Sequence, residues 1–193
     1  MPRPGDPPQD RRGRDDEGRV RDGGQAVASP WLGHDLATGA LNHRGLVERL
    51  QTALALARRM ETHVALVAFA LRAHDRGGTE PDGESDLAAA TVRELRAAVR
   101  EHDLVARLAR DEFVVVLQVC EEGRALVVAA RLLAELERVA ARGRADEWRA
   151  AAGVAVYPDD AEDVADLLRA ASVALGRARA AGGGALAYGG QPS

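Results

Sequence analysis

The sequence predicts an α/β sandwich, a mixed sheet with helices on its faces. Short aliphatic, β-branched runs alternate along the chain with longer segments whose apolar residues recur at helical spacing. Two of the runs, Val105 to Leu108 and Phe113 to Val119, are separated by only four residues, which makes them a β-hairpin. Polar segments rich in Gly and Pro mark the joints between the elements.

In order, residues 1 to about 30 are rich in Pro, Gly, Asp and Arg, with almost no large apolar side chains. Such a segment cannot bury enough surface to offset its conformational entropy, so it is expected to be a disordered tail. Its first 24 residues hold six Arg and six acids, a balanced polyampholyte and not a basic arm. The folded domain is expected over residues 31–189, with a short C-terminal tail at 190–193. Asp35 to Asn42 reads as a turn into a helix, whose stripe is Leu46, Leu50, Ala53, Leu54 and Ala57 and which runs to about Met60. His63 to Leu71 is continuously apolar, the mark of a strand covered on both faces. Arg72 to Gly83 reads as a loop. A second helix follows, with Ser85 or Asp86 as N-cap and Leu87, Thr91, Leu95, Ala98 and Val99 facing inward.

After the hairpin, Ala125, Val128, Ala129, Leu132, Leu136 and Val139 outline a third helix. Arg149 to Val156 is a further strand. Val164, Leu167, Leu168, Ala171, Ala174, Leu175 and Ala178 outline the last helix, which Gly182 to Gly184 should end. Ala185 to Tyr188 has the makings of an edge strand.

Composition narrows the function. The chain has 193 residues, a net charge of −4 and no Lys, which argues against a nucleic-acid binder. No window approaches the ~18 apolar residues of a membrane span, and the N-terminus lacks the apolar core of a signal peptide. One cysteine, Cys120, excludes an internal disulfide, fits a reducing cytoplasm and reads as a buried small hydrophobe. The five His (34, 43, 63, 74, 102) show no metal-site spacing. Trp31 and Trp148 read as packing residues. Asp111 and Glu112 at the hairpin tip have the chemistry to hold a divalent cation. They also read as a simple solvated turn, which is favoured while nothing else converges on the tip.

Several stretches together resemble one family. Ala109-Arg110-Asp111-Glu112-Phe113 looks like the signature turn of the GGDEF (diguanylate cyclase) domain. Arg100-Glu-His-Asp103 stands upstream at the spacing of that family's inhibitory-site RxxD. Asp35-Leu-Ala-Thr-Gly-Ala-Leu-Asn-His-Arg44 resembles its opening D-x-L-T-G-L-x-N-R-R. Ala151-Ala-Gly-Val-Ala-Val-Tyr-Pro158 is similar to the late S-x-G-x-A strand and Ala171-Ser-Val-Ala-Leu175 to the A-D-x-A-L helix. The resemblance covers roughly residues 31–189 in unbroken order. It implies a GGDEF/nucleotidyl cyclase-like α/β sandwich with a ferredoxin-like core.

The resemblance also implies a reaction: two GTP molecules are joined as each 3′-hydroxyl attacks an α-phosphate, with metal ions neutralising the developing charge. The residues at the corresponding places depart from that chemistry. Ala70 stands where the metal-binding Asp belongs, and Arg72 at the next acidic position; neither ligates Mg²⁺. Ala109 and Arg110 replace two glycines whose freedom lets the backbone approach the nucleotide. The F-K pair falls on His74 and Asp75, an acid where a triphosphate would lie. Arg179 occupies the place of a phosphate-binding Lys, and Gly183 that of the Arg after it. No catalytic residue, no Mg²⁺ site and no cyclase activity are therefore expected, with high-affinity GTP binding at this place in doubt.

A separate site of the family binds the product, cyclic di-GMP, through the Arg and Asp of RxxD and an Arg on the following helix. Arg100, Asp103 and Arg131 match it in type and place. Guanidinium groups fork onto phosphate oxygens or the guanine edge, and a carboxylate accepts the guanine N–H groups. Arg at i and Asp at i+3 also make an ordinary exposed ion pair, worth a few tenths of a kcal/mol. The reading is a catalytically inactive, cytoplasmic receptor for cyclic di-GMP, with ligand bridging a homodimer or docking a partner protein. A ligand-independent interaction module is the rival, and residual cyclase activity the third possibility.

Overall fold

A computed structural model of the chain describes residues 32–73, 84–144 and 148–189. The expected tails, Trp31 and positions 74–83, with His74 and Asp75, lie outside the described residues. The elements are α1 (His43–Met60), β1 (Val64–Ala73), α2 (Glu84–Ala98), β2 (Leu104–Arg107), β3 (Glu112–Gln118), α3 (Glu122–Arg144), β4 (Trp148–Tyr157), α4 (Val164–Ala180) and β5 (Gly184–Ala187). One five-stranded sheet runs β2-β3-β1-β4-β5. β1 is antiparallel to β3 and β4, β2 to β3, and β5 joins β4 in parallel, so the sheet is mixed.

The period-2 alternation of strands sorts side chains between two cores. Ala65, Val67, Phe69 and Leu71 of β1 pack with α2 and α3; Val64, Leu66, Ala68 and Ala70 pack with α1 and α4. A strand coated on both faces must be apolar throughout, which is why the β1 run is continuous. The α1 stripe predicted from spacing is buried in full. Asn42 starts that helix: its Oδ1 accepts the Gly45 N–H at 3.0 Å, and its Nδ2 donates to the Leu32 and His34 carbonyls. Asp163 caps α4 in the same way through the Asp166 N–H.

Several local expectations shift. β1 runs on to Ala73, so Arg72 and Ala73, expected in a loop, are strand residues paired with β4. α2 already begins at Glu84, so neither Ser85 nor Asp86 is its N-cap; Asp86 sits in the first turn, where a carboxylate suits the helix dipole. β2 and β3 each begin one residue early, placing the turn at 108–111 and Glu112 inside β3. β3 then ends at Gln118. Val119, expected in the strand, is 63% exposed with φ of +54°, a left-handed conformation. That bend lets the Cys120 N–H reach the His63 carbonyl at 3.2 Å and buries the Cys120 side chain.

A β-branched residue is strained there by roughly 1–2 kcal/mol. Val119→Gly is expected to stabilise the domain by about 1 kcal/mol, about 2–4 °C in melting temperature for a domain of this size. Thermal melting followed by circular dichroism checks this; an unchanged or lower midpoint would show that the bend costs valine nothing.

Candidate ligand-binding site at the Arg100 turn

Between α2 and β2 the chain makes a tight turn, with the Asp103 N–H bonded to the Arg100 carbonyl at 3.0 Å. The Asp103 carboxylate holds it. One oxygen, Oδ2, accepts the Arg100 backbone N–H at 3.0 Å; Oδ1 accepts the Gln118 N–H at 3.1 Å, and the side chain is only 5% exposed. Gln118 Nε2 returns a bond to the His102 carbonyl. Asp103 thus staples the turn to the end of β3. The side-chain ion pair that the Arg-x-x-Asp spacing suggests is not made, and the Arg100 guanidinium projects from a fixed backbone.

That guanidinium, Asp103 and Arg131 line one cavity of about 350 Å³, so the structure brings together all three residues predicted from sequence. Arg131 comes from α3 and lends Nη2 to the Ala98 carbonyl at the end of α2, at 2.9 Å. A cation at a helix C-terminus is favoured by the exposed carbonyls. Arg124 also lines the cavity and was missed from sequence. Its signal was present: seven residues before Arg131, it lies two turns away on the same helix face. Val119, Cys120 and Val128 supply apolar wall. Burial pushes the Cys120 thiol above its ordinary pKa against the pull of Arg124, so it stays neutral at physiological pH, as a packing residue should.

The signature turn lies at the other end of the hairpin, and its organiser is Arg107, which sequence reasoning also overlooked. Its Nε donates to the Ala109 carbonyl at 3.3 Å and Nη2 to the Arg110 carbonyl at 3.1 Å. Nη1 meets Asp35 Oδ1 at 3.4 Å, and the guanidinium stands 6.0 Å from the Phe113 ring centre. Asp35 Oδ1 accepts the Thr38 N–H at 3.0 Å and hydroxyl at 2.6 Å as well. Burial opposes its ionisation, but the Thr38 bonds and Arg107 outweigh it and hold the carboxyl below its ordinary 3.8.

A carboxyl acidified on folding adds stability above its unfolded pKa, which is lost as pH falls through the lower folded value. Asp35→Asn is therefore expected to cost about 1–2 kcal/mol at pH 7, from lost charged hydrogen bonds. The gap to the parent should shrink below about pH 4. Urea unfolding at pH 7 and pH 3 measures it; an equal gap at both would deny the carboxylate its role.

Around the turn, the described side chains offer few oxygen donors to a cation. Ala70 lies in register with Glu112 and presents a buried methyl group. Glu112 Oε1 is held by Arg179 Nη2 at 2.9 Å, so it is a strand residue in an ion pair and not half of an acidic tip. Asp111 contributes its backbone carbonyl to the Leu71 N–H at 3.0 Å. Among the described residues no three His, Cys, Asp or Glu side chains gather.

Comparison with known proteins agrees with this fold. A family model described as the diguanylate cyclase, GGDEF domain matches residues 32–185. An uncharacterized signaling protein of Caulobacter vibrioides is 34% identical over 159 residues, 78% of this chain and 19% of that protein. The cyclic di-GMP phosphodiesterase NbdA of Pseudomonas aeruginosa is 36% identical over 89 residues, 46% of this chain and 11% of that enzyme. The chain therefore spans less than a fifth of the length of either curated relative. The crystal structure of a sensory box/GGDEF family protein from Caulobacter crescentus, 28% identical, superposes with a TM-score of 0.61 over 78% of this chain and 99% of that one. With its sheet order, hairpin and 32–185 match taken together, the chain belongs to the GGDEF domain family.

Proposed function

We propose that this GGDEF domain is a catalytically inactive receptor for cyclic di-GMP, which binds in the cavity beside Arg100. The observation that carries the reading is the convergence of Arg100, Arg124 and Arg131 on one cavity of about 350 Å³. Cyclic di-GMP offers two phosphodiester anions and two guanines. Forked guanidiniums match both phosphate oxygens and the acceptor edge of guanine. The Asp103 side chain is only 5% exposed and its oxygens already accept backbone N–H groups, so it serves as the residue that positions Arg100. The name of the NbdA relative supports the ligand class. Ala70, the Glu112–Arg179 pair and the side chains at Ala109 and Arg110 support inactivity at the opposite end of the hairpin.

Ligand held at this surface would bridge two copies of the chain or dock a partner protein. Among the described residues no helix is long and apolar enough to cross a membrane. A cytoplasmic location belongs to the same proposal, since the second messenger is made and read there.

Isothermal titration with cyclic di-GMP tests the reading, alongside incubation with GTP and Mg²⁺ followed by chromatography. Saturable micromolar or tighter binding with no product is expected. Product formation would restore the cyclase reading. No heat at high ligand would remove the receptor and favour an interaction module, for which Leu36, Leu56 and Met60, at 82%, 49% and 62% exposure, offer apolar contacts.

A further inference from the structure

A second cavity, about 340 Å³, adjoins the first, and the two share Val99, Arg100 and Asp103. Arg100 thus stands on the wall between them. The second cavity gathers residues that are remote in sequence: Leu41 from the opening motif, Arg49 from α1, Arg96 from the last turn of α2, and Leu104 and Val105 from β2. Leu41 and Val105 are buried, while Arg49, Arg96 and Arg100 are exposed, so an apolar floor is rimmed by guanidiniums. Arg96 gives one nitrogen, Nη2, to the Gly39 carbonyl at 2.7 Å, the one hydrogen bond of its guanidinium seen among the described residues. The lining acids are Glu101 and Asp103, and both Asp103 oxygens are already engaged by backbone N–H groups. Three guanidiniums against two carboxylates leave the lining net positive, which favours an anion among them.

We propose that Arg49 and Arg96 form a second subsite for a phosphate-bearing guanine unit, so that the ligand site continues around Arg100 into this cavity. The proposal rests on the receptor reading and deepens it. Cyclic di-GMP is two-fold symmetric, with each half carrying one guanine and one phosphodiester. A cavity on either side of Arg100, each with an apolar wall and guanidiniums, offers each half the same chemistry. In the second cavity the base lies against Leu41 and Val105, and the phosphate oxygens take the Arg49 and Arg96 donors. Arg100 contacts both halves. Nothing in the Arg-x-x-Asp spacing announces this extension, because Arg49 lies 51 positions before Arg100 and is brought to it only by the fold.

The test is titration with cyclic di-GMP of the parent, Arg49→Ala and Arg59→Ala. Arg59 is an exposed cation at the far end of α1 and lines neither cavity, so it controls for net charge. Affinity is expected to fall tenfold or more in Arg49→Ala and less than twofold in Arg59→Ala, with unchanged circular dichroism. Arg49→Gln, which keeps a long polar side chain, replaces the alanine variant if that one folds poorly. Parent-like binding by the Arg49 variants overturns the second subsite and leaves the receptor reading standing. Equal losses at Arg49 and Arg59 overturn it as well, as a general charge effect. A parent that binds nothing overturns both.

Discussion

Arg100→Ala is expected to lower the affinity for cyclic di-GMP about a hundredfold or beyond detection, with the fold intact. A hydrogen bond to a charged group contributes about 1.5–3 kcal/mol, and a guanidinium fork makes two. Each 1.4 kcal/mol is tenfold in affinity, so losing the fork amounts to two orders of magnitude or more. The variant is clean because the Asp103 staple grips the Arg100 backbone N–H and not its side chain. Alanine retains that N–H, so the turn should persist. Asp103→Ala would be harder to interpret, since it strips partners from two N–H groups and would loosen the turn itself. Titration with parallel circular dichroism decides it. Binding by the alanine variant within about threefold of the parent would show that Arg100 is an ordinary surface cation of the kind whose pairs are worth little.

The largest effect on stability is expected at Gly153. It lies in the middle of β4, paired with Ala68 of β1 and Leu186 of β5, where α4 crosses the sheet. A Cβ at this position would come within 2.1 Å of the Leu175 nitrogen, 2.3 Å of the Ala171 oxygen and 2.7 Å of the Leu175 Cα. All three are helix backbone, which cannot rotate away as a side chain does. Admitting one methyl group means lifting α4 off the sheet, against a core that contains Leu167, Ala171 and Leu175. Gly153→Ala is therefore expected to cost about 3 kcal/mol or more, at or above the usual range for overpacking. Urea unfolding should show a midpoint lower by ~1 M or more. An unchanged midpoint would mean that helix and strand do not meet this closely.

Sequence gave most of the architecture where periodicity controls burial. Leu46, Leu50, Ala53, Leu54 and Ala57 are all inside, and the continuous β1 run is covered on both faces. It erred where a conformation depends on what comes next in space. Val119 extends an aliphatic run and so reads as strand, yet the chain must bend there to bury Cys120 and begin α3. Glu112 reads as a tip acid because register is invisible until β1 pairs with β3, and its partner Arg179 lies 67 positions away. That Arg100, Asp103 and Arg131 lie around one cavity was expected from family spacing, whereas the places of Arg107 and Arg124 were not. A long flexible cation reaches its targets through the tertiary fold, and in a chain whose basic residues are all Arg no single one stands out.

The opening motif does more than lead into α1. Leu41 lies alongside β2 as a parallel bridge to Ala106, receiving the Arg107 N–H at 2.8 Å and donating to the Val105 carbonyl at 3.1 Å. The outer margin of β2 is therefore occupied by the protein's own backbone. At the opposite margin β5 is four residues long and is preceded by glycines whose positive φ turns the chain sharply. Exposed strand edges are templates on which other chains add as further strands. With one margin closed and the other this short, the sheet is a poor acceptor for such zippering, among its own copies or with foreign peptides. The Arg100 face offers instead a surface of side chains, with Arg49, Arg96, Arg100, Arg124 and Arg131 around its two cavities.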